Sequence, residues 1–298
     1  MIINQENLDL TFRGFKTVFT DAFMAAESHA AKIVMEVPSA TREETYAWLG
    51  SMPSLREWVG PRHVNGLKAH GFTIRNKTFE STVSVPREDI QDDRLGAFKP
   101  FFSEMGQEAK RHPDEMVFDL LKSGFASLCY DGQNFFDTDH PVALDEGATQ
   151  TVSNVQAGSE PAWFLLDTSR TVRPIIWQKR EDYTFESMTE ANNPHVFMNR
   201  EYIYGVHARV NAGFGLWQLA FGSQALLNKT NYAAARAAMM DFRSDNGRLL
   251  GVKPTTLVVP PVLEEAALYL LNTENEAGGG SNPWKGTVDL IVTPYVAE

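Results

Sequence analysis

Between Leu8 and Ile33 the apolar residues Leu8, Phe12, Phe15, Phe19, Phe23, Ala26, Ala30 and Ile33 recur every three or four positions. That spacing lines one face of a helix and restricts the fold more than any other feature, because a long helix with a phenylalanine stripe has to bury it. Two destinations are open: the chain's own core, which is the usual one, or the surface of a neighbouring subunit, which a terminal helix can reach. Pro38 ends the region, and Thr41-Arg42-Glu43-Glu44 reads as a capping box that predicts a second, short helix before Gly50 and Pro53.

Beyond it the period changes. Gly60-Pro61, Gly66 and Gly71 punctuate residues 58–88, after which Phe72/Ile74 and then Phe79, Val83 and Val85 alternate with polar residues, so a hairpin is expected there. The apolar phase switches near Asn76-Lys77, which calls for a turn or bulge, since a one-residue slip exchanges the faces of a strand. The acidic knot Glu88-Asp89 and Asp92-Asp93 reads as a solvated turn or helix start, because it lacks the glycine and terminal Glu of a calcium loop. A helical period returns from Ala97 to Leu128, with Pro113 demanding a kink or a new start. Asp131-Gly132-Gln133-Asn134 is a turn followed by a polar loop through Ser153, and strands are expected at Thr171–Trp177 and Arg200–Val210. The last third alternates: a helix from Asn231 to Phe242, a buried strand at Thr255–Val259, a helix from Pro260-Pro261 to Leu271, a loop at Glu274–Gly286 and a strand at Thr287–Thr293.

At 298 residues the chain is long enough for about two domains and needs no covalent staple. Its single cysteine, Cys129, rules out an intramolecular disulfide and cysteine-based zinc or iron–sulfur sites within one chain. The formal charge of −11 argues against binding nucleic acid by neutralising many phosphates, and disfavours anionic membrane surfaces. Residues 1–150 carry 15 basic and 23 acidic side chains, so most of that charge lies in the first half. The start, Met1-Ile2-Ile3-Asn4-Gln5-Glu6, has no basic stretch followed by an apolar run, and reads as a chain made and kept in a cytoplasm.

An enzyme reading has to begin from Cys129 and the nearby Asp137-Thr138-Asp139-His140, as a nucleophile with its base or as a metal site. The plainer reading is a buried small hydrophobe at the end of a helix face and a loop that hydrogen-bonds its own backbone. Gly213-Phe214-Gly215-Leu216-Trp217-Gln218 lacks the third glycine of a dinucleotide loop, and in Gly280-Ser281-Asn282-Pro283-Trp284-Lys285-Gly286-Thr287 the lysine precedes the glycine, so neither cradles phosphate in the usual way. The residues assign no catalytic, cofactor-binding or metal-binding position, and the inventory is that of a structural or binding protein.

Four stretches taken in order resemble the major head (capsid) subunit of Mu-like phages, the gpT family. They are Thr82-Val83-Ser84-Val85-Pro86-Arg87-Glu88-Asp89-Ile90, Phe135-Phe136-Asp137-Thr138-Asp139-His140-Pro141, Ala208-Arg209-Val210-Asn211-Ala212-Gly213-Phe214-Gly215-Leu216-Trp217, and Asn282-Pro283-Trp284-Lys285-Gly286 before Val288–Pro294. The resemblance covers essentially the whole chain. It implies an α+β, HK97-like major capsid protein fold: an N-terminal arm, an extended hairpin called the E-loop, a peripheral domain with a long spine helix, and an axial domain. The corresponding segments are 1–57 for the arm, 58–88 for the E-loop, 89–222 for the peripheral domain with its spine helix at 97–128, and 223–298 for the axial domain. The Tyr-rich strand precedes the axial-like segment, an order that differs from many members of the fold and admits a permuted chain.

The resemblance further implies no catalysis and no cofactor. It implies self-association as hexamers and pentamers in an icosahedral shell, with scaffold, portal and decoration proteins as partners. Such a shell encloses double-stranded DNA without sequence-specific binding and without a membrane, in the virion and, during assembly, in the host cytoplasm. The alternatives are a metal-dependent or Cys-based hydrolase built on Cys129, Asp137, Asp139 and His140, and a non-viral compartment shell of the same fold.

Overall fold

The computed structural model describes residues 2–49, 71–143, 149–190, 192–244, 247–275 and 279–297. In chain order the first half contains α1 (Gln5–Ala25), α2 (Ala30–Ile33), β1 (Val34–Pro38), β2 (Glu43–Tyr46), β3 (Phe72–Arg75), β4 (Lys77–Pro86), α3 (Arg87–Gln91), α4 (Lys99–Ser123), β5 (His140–Ala143) and β6 (Thr149–Val152). The second half contains β7 (Val155–Gln156), β8 (Trp163–Leu166), β9 (Ile175–Met188), α5 (Pro194–Asn199), β10 (Glu201–Phe214), β11 (Ala220–Ser223), α6 (Lys229–Met240), β12 (Thr256–Val259), α7 (Glu264–Asn272) and β13 (Asp289–Val292).

Asn4 starts α1 by accepting the Asn7 amide at 2.8 Å. The helix does not continue to Ile33 as its periodicity suggests. The buried Asp114 carboxylate on α4 accepts the Ser28 hydroxyl at 2.6 Å, the His29 amide at 2.9 Å and the Ala30 amide at 2.7 Å. These donors are those of a new helix start, so α2 begins there instead of prolonging α1. The phenylalanine stripe goes into the chain's own core: Phe15 stacks on Phe102 of α4 at 4.2 Å and meets Tyr204 of β10 edge-on at 5.2 Å, and Phe19 stacks on Phe185 of β9 at 5.1 Å.

The capping box does not start a helix. Glu44 reaches back to the Ser39 hydroxyl and the Ala40 and Thr41 amides at 2.9, 2.9 and 3.1 Å, as the motif requires. The residues after it, however, form β2, which pairs antiparallel with β3. The cross-strand Thr45–Thr73 hydroxyl contact at 3.0 Å and the Tyr46 hydroxyl bond to Gln178 at 2.8 Å favour the strand.

The phase switch at Asn76 also has a different outcome from a hairpin turn. β3 stays with β2 while β4 pairs with β10, so the chain crosses from one sheet to another at this residue. Asn76 is buried and fully used: its amide donates to the Arg42 carbonyl at 3.0 Å, its Nδ2 to Ser39 Oγ at 2.8 Å and its Oδ1 accepts Gln178 Nε2 at 2.8 Å. The earlier part of the expected hairpin, 58–70, lies outside the described residues.

Two larger sheets organise the molecule. One has four strands in the order β1-β9-β10-β4, the other five in the order β13-β12-β8-β11-β7. Tyr202, Tyr204, Val206, Ala208 and Val210 alternate into the core along β10, the period expected of a strand with one buried face. Every residue of β8 and β12 is buried, because their sheet is covered on both sides. The long β9–β10 excursion interrupts the second sheet: β7 and β8 precede it and β11, β12 and β13 follow, so the expected boundary at 222/223 falls within strand β11. Helix α4 passes beside both cores, its first half among Phe15, Phe19 and Tyr204 and its second half, Val117, Phe118 and Leu121, among the side chains of the five-stranded sheet. It continues through Pro113, and no described helix is long and apolar enough to cross a membrane.

Candidate functional site

Cys129, Asp131 and His140 come together where the turn after α4 meets the start of β5. The Cys129 thiol donates to Asp131 Oδ1 at 3.0 Å, and His140 Nδ1 lies 2.7 Å from Asp131 Oδ2. On its other side His140 Nε2 faces Asn154 Oδ1 at 3.2 Å, and its ring stacks on Trp217 at 4.0 Å. The orientation of Asn154 follows from its Nδ2, which points at the carbonyls of Phe135, Trp217 and Ala220. Both imidazole nitrogens therefore face side-chain oxygens, which fixes the orientation of the ring.

Burial pushes the Cys129 thiol well above its ordinary range, and the Asp131 charge adds to the shift. Burial works against ionisation of Asp131 too, but the hydrogen bonds from His140 and the thiol outweigh it and hold the carboxyl below the usual range. A nucleophilic cysteine needs a stabilised thiolate, a base beside it and a path for substrate. Here the thiol is held protonated, His140 is bonded to a carboxylate instead of to sulfur, and the ring is fully buried. The sulfur, carboxylate and imidazole atoms all lie within 4.8 Å of one another, a spacing that could hold a metal ion, yet each is already satisfied by its neighbour.

Asp137 and Asp139 do not join this cluster. Asp137 turns its carboxylate onto the amides of Asn134 at 3.1 Å and Thr138 at 2.7 Å. Burial is the largest single influence and raises its pKa, but these amides, a hydrogen bond with Asp139 and the nearby His140 together outweigh it and hold the carboxyl below its usual range. Asp139 is raised by sharing a hydrogen bond with Asp137. Of the four residues an enzyme reading nominated, the fold thus unites only Cys129 and His140, through Asp131. The sequence marked Asp131 as a turn residue and did not mark Asn154; an aspartate two positions after the cysteine was the only available signal.

What the cluster does is mechanical. Asn154 accepts the Asp137 amide at 2.9 Å through its side chain and the Gly222 amide at 3.0 Å through its carbonyl. The turn after α4 is thereby fastened to β11 of the five-stranded sheet. A second titratable group of interest borders a cavity of about 190 Å³ between α4 and strands β4 and β10, where His112 bonds the Tyr183 hydroxyl at 2.5 Å. Burial lowers the His112 pKa, and Phe79 covers the ring edge-on at 4.3 Å.

The profile of the family described as Mu-like prophage major head subunit gpT matches residues 8–296. The chain is 42% identical to the major capsid protein of Escherichia phage Mu, over 99% of this chain and 100% of that one. It is also 42% identical to the Mu-like prophage FluMu major head subunit of Haemophilus influenzae, over 96% of each. Among solved structures, the chain in the procapsid of bacteriophage JBD30 is similar with a TM-score of 0.88 and 44% identity, covering 98% of this chain and all of that one. The chain in the JBD30 capsid is similar with a TM-score of 0.78 and 34% identity, covering 93% and 94%.

Proposed function

The chain belongs to the Mu-like prophage major head subunit gpT family, and from that premise we propose how its parts serve a phage head. It is a major capsid protein with the HK97-like α+β fold, a structural subunit, and the hydrolase reading has no support from its relatives. The observation that carries this is the likeness of nearly the whole chain, in sequence and backbone, to a procapsid subunit.

In the proposed reading, copies associate as hexamers and pentamers in a closed shell, together with scaffold, portal and decoration proteins, and the shell encloses double-stranded DNA. Residues 58–88 act as the E-loop, α4 as the spine, and the four-stranded sheet as the peripheral body. Strands β7, β8 and β11 join 223–298 in the axial body, because they share its sheet. The arm, 1–57, reaches neighbours with the outer side of α1, where Leu10 and Met24 are exposed, and with Ile2 just before it, since its phenylalanine face is used internally. A net charge of −11 suits a container whose wall does not trap the phosphates passing it. The protein resides in the virion, and in the host cytoplasm while shells form.

Negative-stain microscopy of the purified protein, alone and with a scaffold, tests this. Large closed shells are expected; a small globular monomer under both conditions overturns it.

A further inference from the structure

We propose that neighbouring copies join head-to-tail through two oppositely charged faces of the five-stranded-sheet body: the outer face of α7 on one copy, and the outer face of α6 with the loop after it on the next. The inference rests on the capsid reading and names the surfaces that reading leaves open.

Helix α7 has two sides of different character. Leu263, Ala267, Leu270 and Leu271 turn inward and are buried. On the outer side Val262, Leu268 and Tyr269 are 71%, 39% and 53% exposed and line an open groove of about 760 Å³ together with Glu264 and Glu265. Leu268 and Tyr269 on this short helix, with Val262 in the turn just before it, are large apolar side chains left in water, which is what a docking surface looks like. The surrounding charge says what can cover it. Glu264 and Glu265 border the groove, whereas Glu274 is paired with Lys285 at 2.7 Å, so the charge beside the groove is that of two carboxylates. A partner with a like-charged surface, including a second α7, is repelled.

The same chain carries the complement. Residues 229–253 contain Lys229, Arg236, Arg243, Arg248 and Lys253 against Asp241 and Asp245, a net charge of +3. Here too large apolar groups are exposed, Met240 at 47% and Leu249 at 54%. The two faces belong to different ends of one body: α6 packs on β11 and α7 on β13, and those strands lie on opposite sides of β8 in the sheet. A surface that complements a different surface of its own copy makes a heterologous contact, and such contacts generate rings when the rotation closes. Complementary charge also sets the direction of that contact and speeds encounter.

Charge exchange tests the pairing, with the full chain co-expressed with a scaffold and shells counted by microscopy and sedimentation. Glu264→Lys/Glu265→Lys and Arg243→Glu/Lys253→Glu are each expected to cut the shell yield about tenfold, and the fourfold exchange variant to restore it to within about twofold of wild type. Circular dichroism melting should match wild type in all three, because the altered side chains are exposed. If either double variant melts early, Tyr269→Ser, which removes apolar area and no charge, decides in its place and should lower the yield. Wild-type shells together with undiminished yield in the deciding variants overturn the contact. Failure of the folded fourfold variant to recover overturns the pairing. Absence of shells from wild type removes the capsid reading and this inference with it.

Discussion

Gly106 of α4 lies directly against the backbone of Phe19 of α1: a Cβ at position 106 would stand 2.3 Å from the Phe19 carbonyl oxygen and 3.1 Å from the Phe23 amide nitrogen. The two helices can approach this closely only because the residue between them has no side chain. Alanine has the higher helix propensity, worth about 1 kcal/mol. Steric overlap with backbone outweighs that, because α1 must move off the Phe15–Phe102 stack to relieve it, and overpacking costs about 1–3 kcal/mol. Gly106→Ala is therefore expected to lower the melting temperature. Gly14→Ala, on the open side of α1 with nothing within 4 Å, is expected to raise it. Thermal unfolding of the two variants checks both signs; a stabilised Gly106→Ala would mean that the helices are not in contact there.

Asp114 holds the break between α1 and α2, and its removal should separate capping from packing. Alanine leaves the His29 and Ala30 amides without their acceptor, and loss of a cap costs about 0.5–2 kcal/mol. An asparagine in its place would keep one acceptor oxygen. Asp114→Ala is expected to lower the urea midpoint more than Asp114→Asn, with an unchanged slope. Equal effects would show that the charge, and not the acceptor geometry, is what matters.

How much of this was readable beforehand depended on whether the deciding partner is local. The stripe from Leu8 to Phe23 announces its buried face by spacing alone. The break before Ala30 does not show, because the cap that makes it comes from Asp114, 84 positions away. Thr41 to Glu44 makes half of a capping box: Glu44 accepts the Thr41 amide, but the Thr41 hydroxyl donates to the Glu43 carbonyl, and distant partners, Thr73 and Gln178, then choose strand over helix. The phase change at Asn76 was visible, whereas the crossing between sheets depends on which strands receive the two halves. At the buried cluster, residue type nominated Cys129 and His140. Asp131, which joins them, was hidden because nothing in a turn sequence tells which of its side chains points inward.

The thiol of Cys129 should be inert while the protein is folded. It is buried, it donates to Asp131, and its pKa is raised by burial first and by the aspartate second. A disulfide reagent at pH 8 is expected to modify it only after unfolding, giving one equivalent of Cys129 in denaturant. Cys129→Ser keeps a donor in place and should assemble as wild type does. Fast labelling of the folded protein would reopen the functional reading of the thiol.

The acid dependence of stability follows from the sign of the Asp131 shift. The folded carboxyl titrates below its ordinary range because His140 and Cys129 stabilise its charged form against the effect of burial. A carboxylate depressed in the folded state contributes stability that is complete above the unfolded pKa of about 3.9 and is lost as pH falls through the folded value. Glu44 adds to the same trend at the surface: the Ser39 hydroxyl and the Thr41 and Ala40 amides bring it from 4.5 to about 2, so its contribution also fades below pH 4.5. Asp131→Asn removes one partner of a buried pair, a change that costs about 3 kcal/mol where the pair is intact. Urea midpoints measured from pH 7 down to pH 3 should therefore show a large gap between wild type and Asp131→Asn at neutral pH that narrows on acidification. Glu44→Gln should flatten a smaller part of the same decline. Parallel profiles for wild type and Asp131→Asn would show that the Asp131–His140 pair does not set the acid limit of the fold.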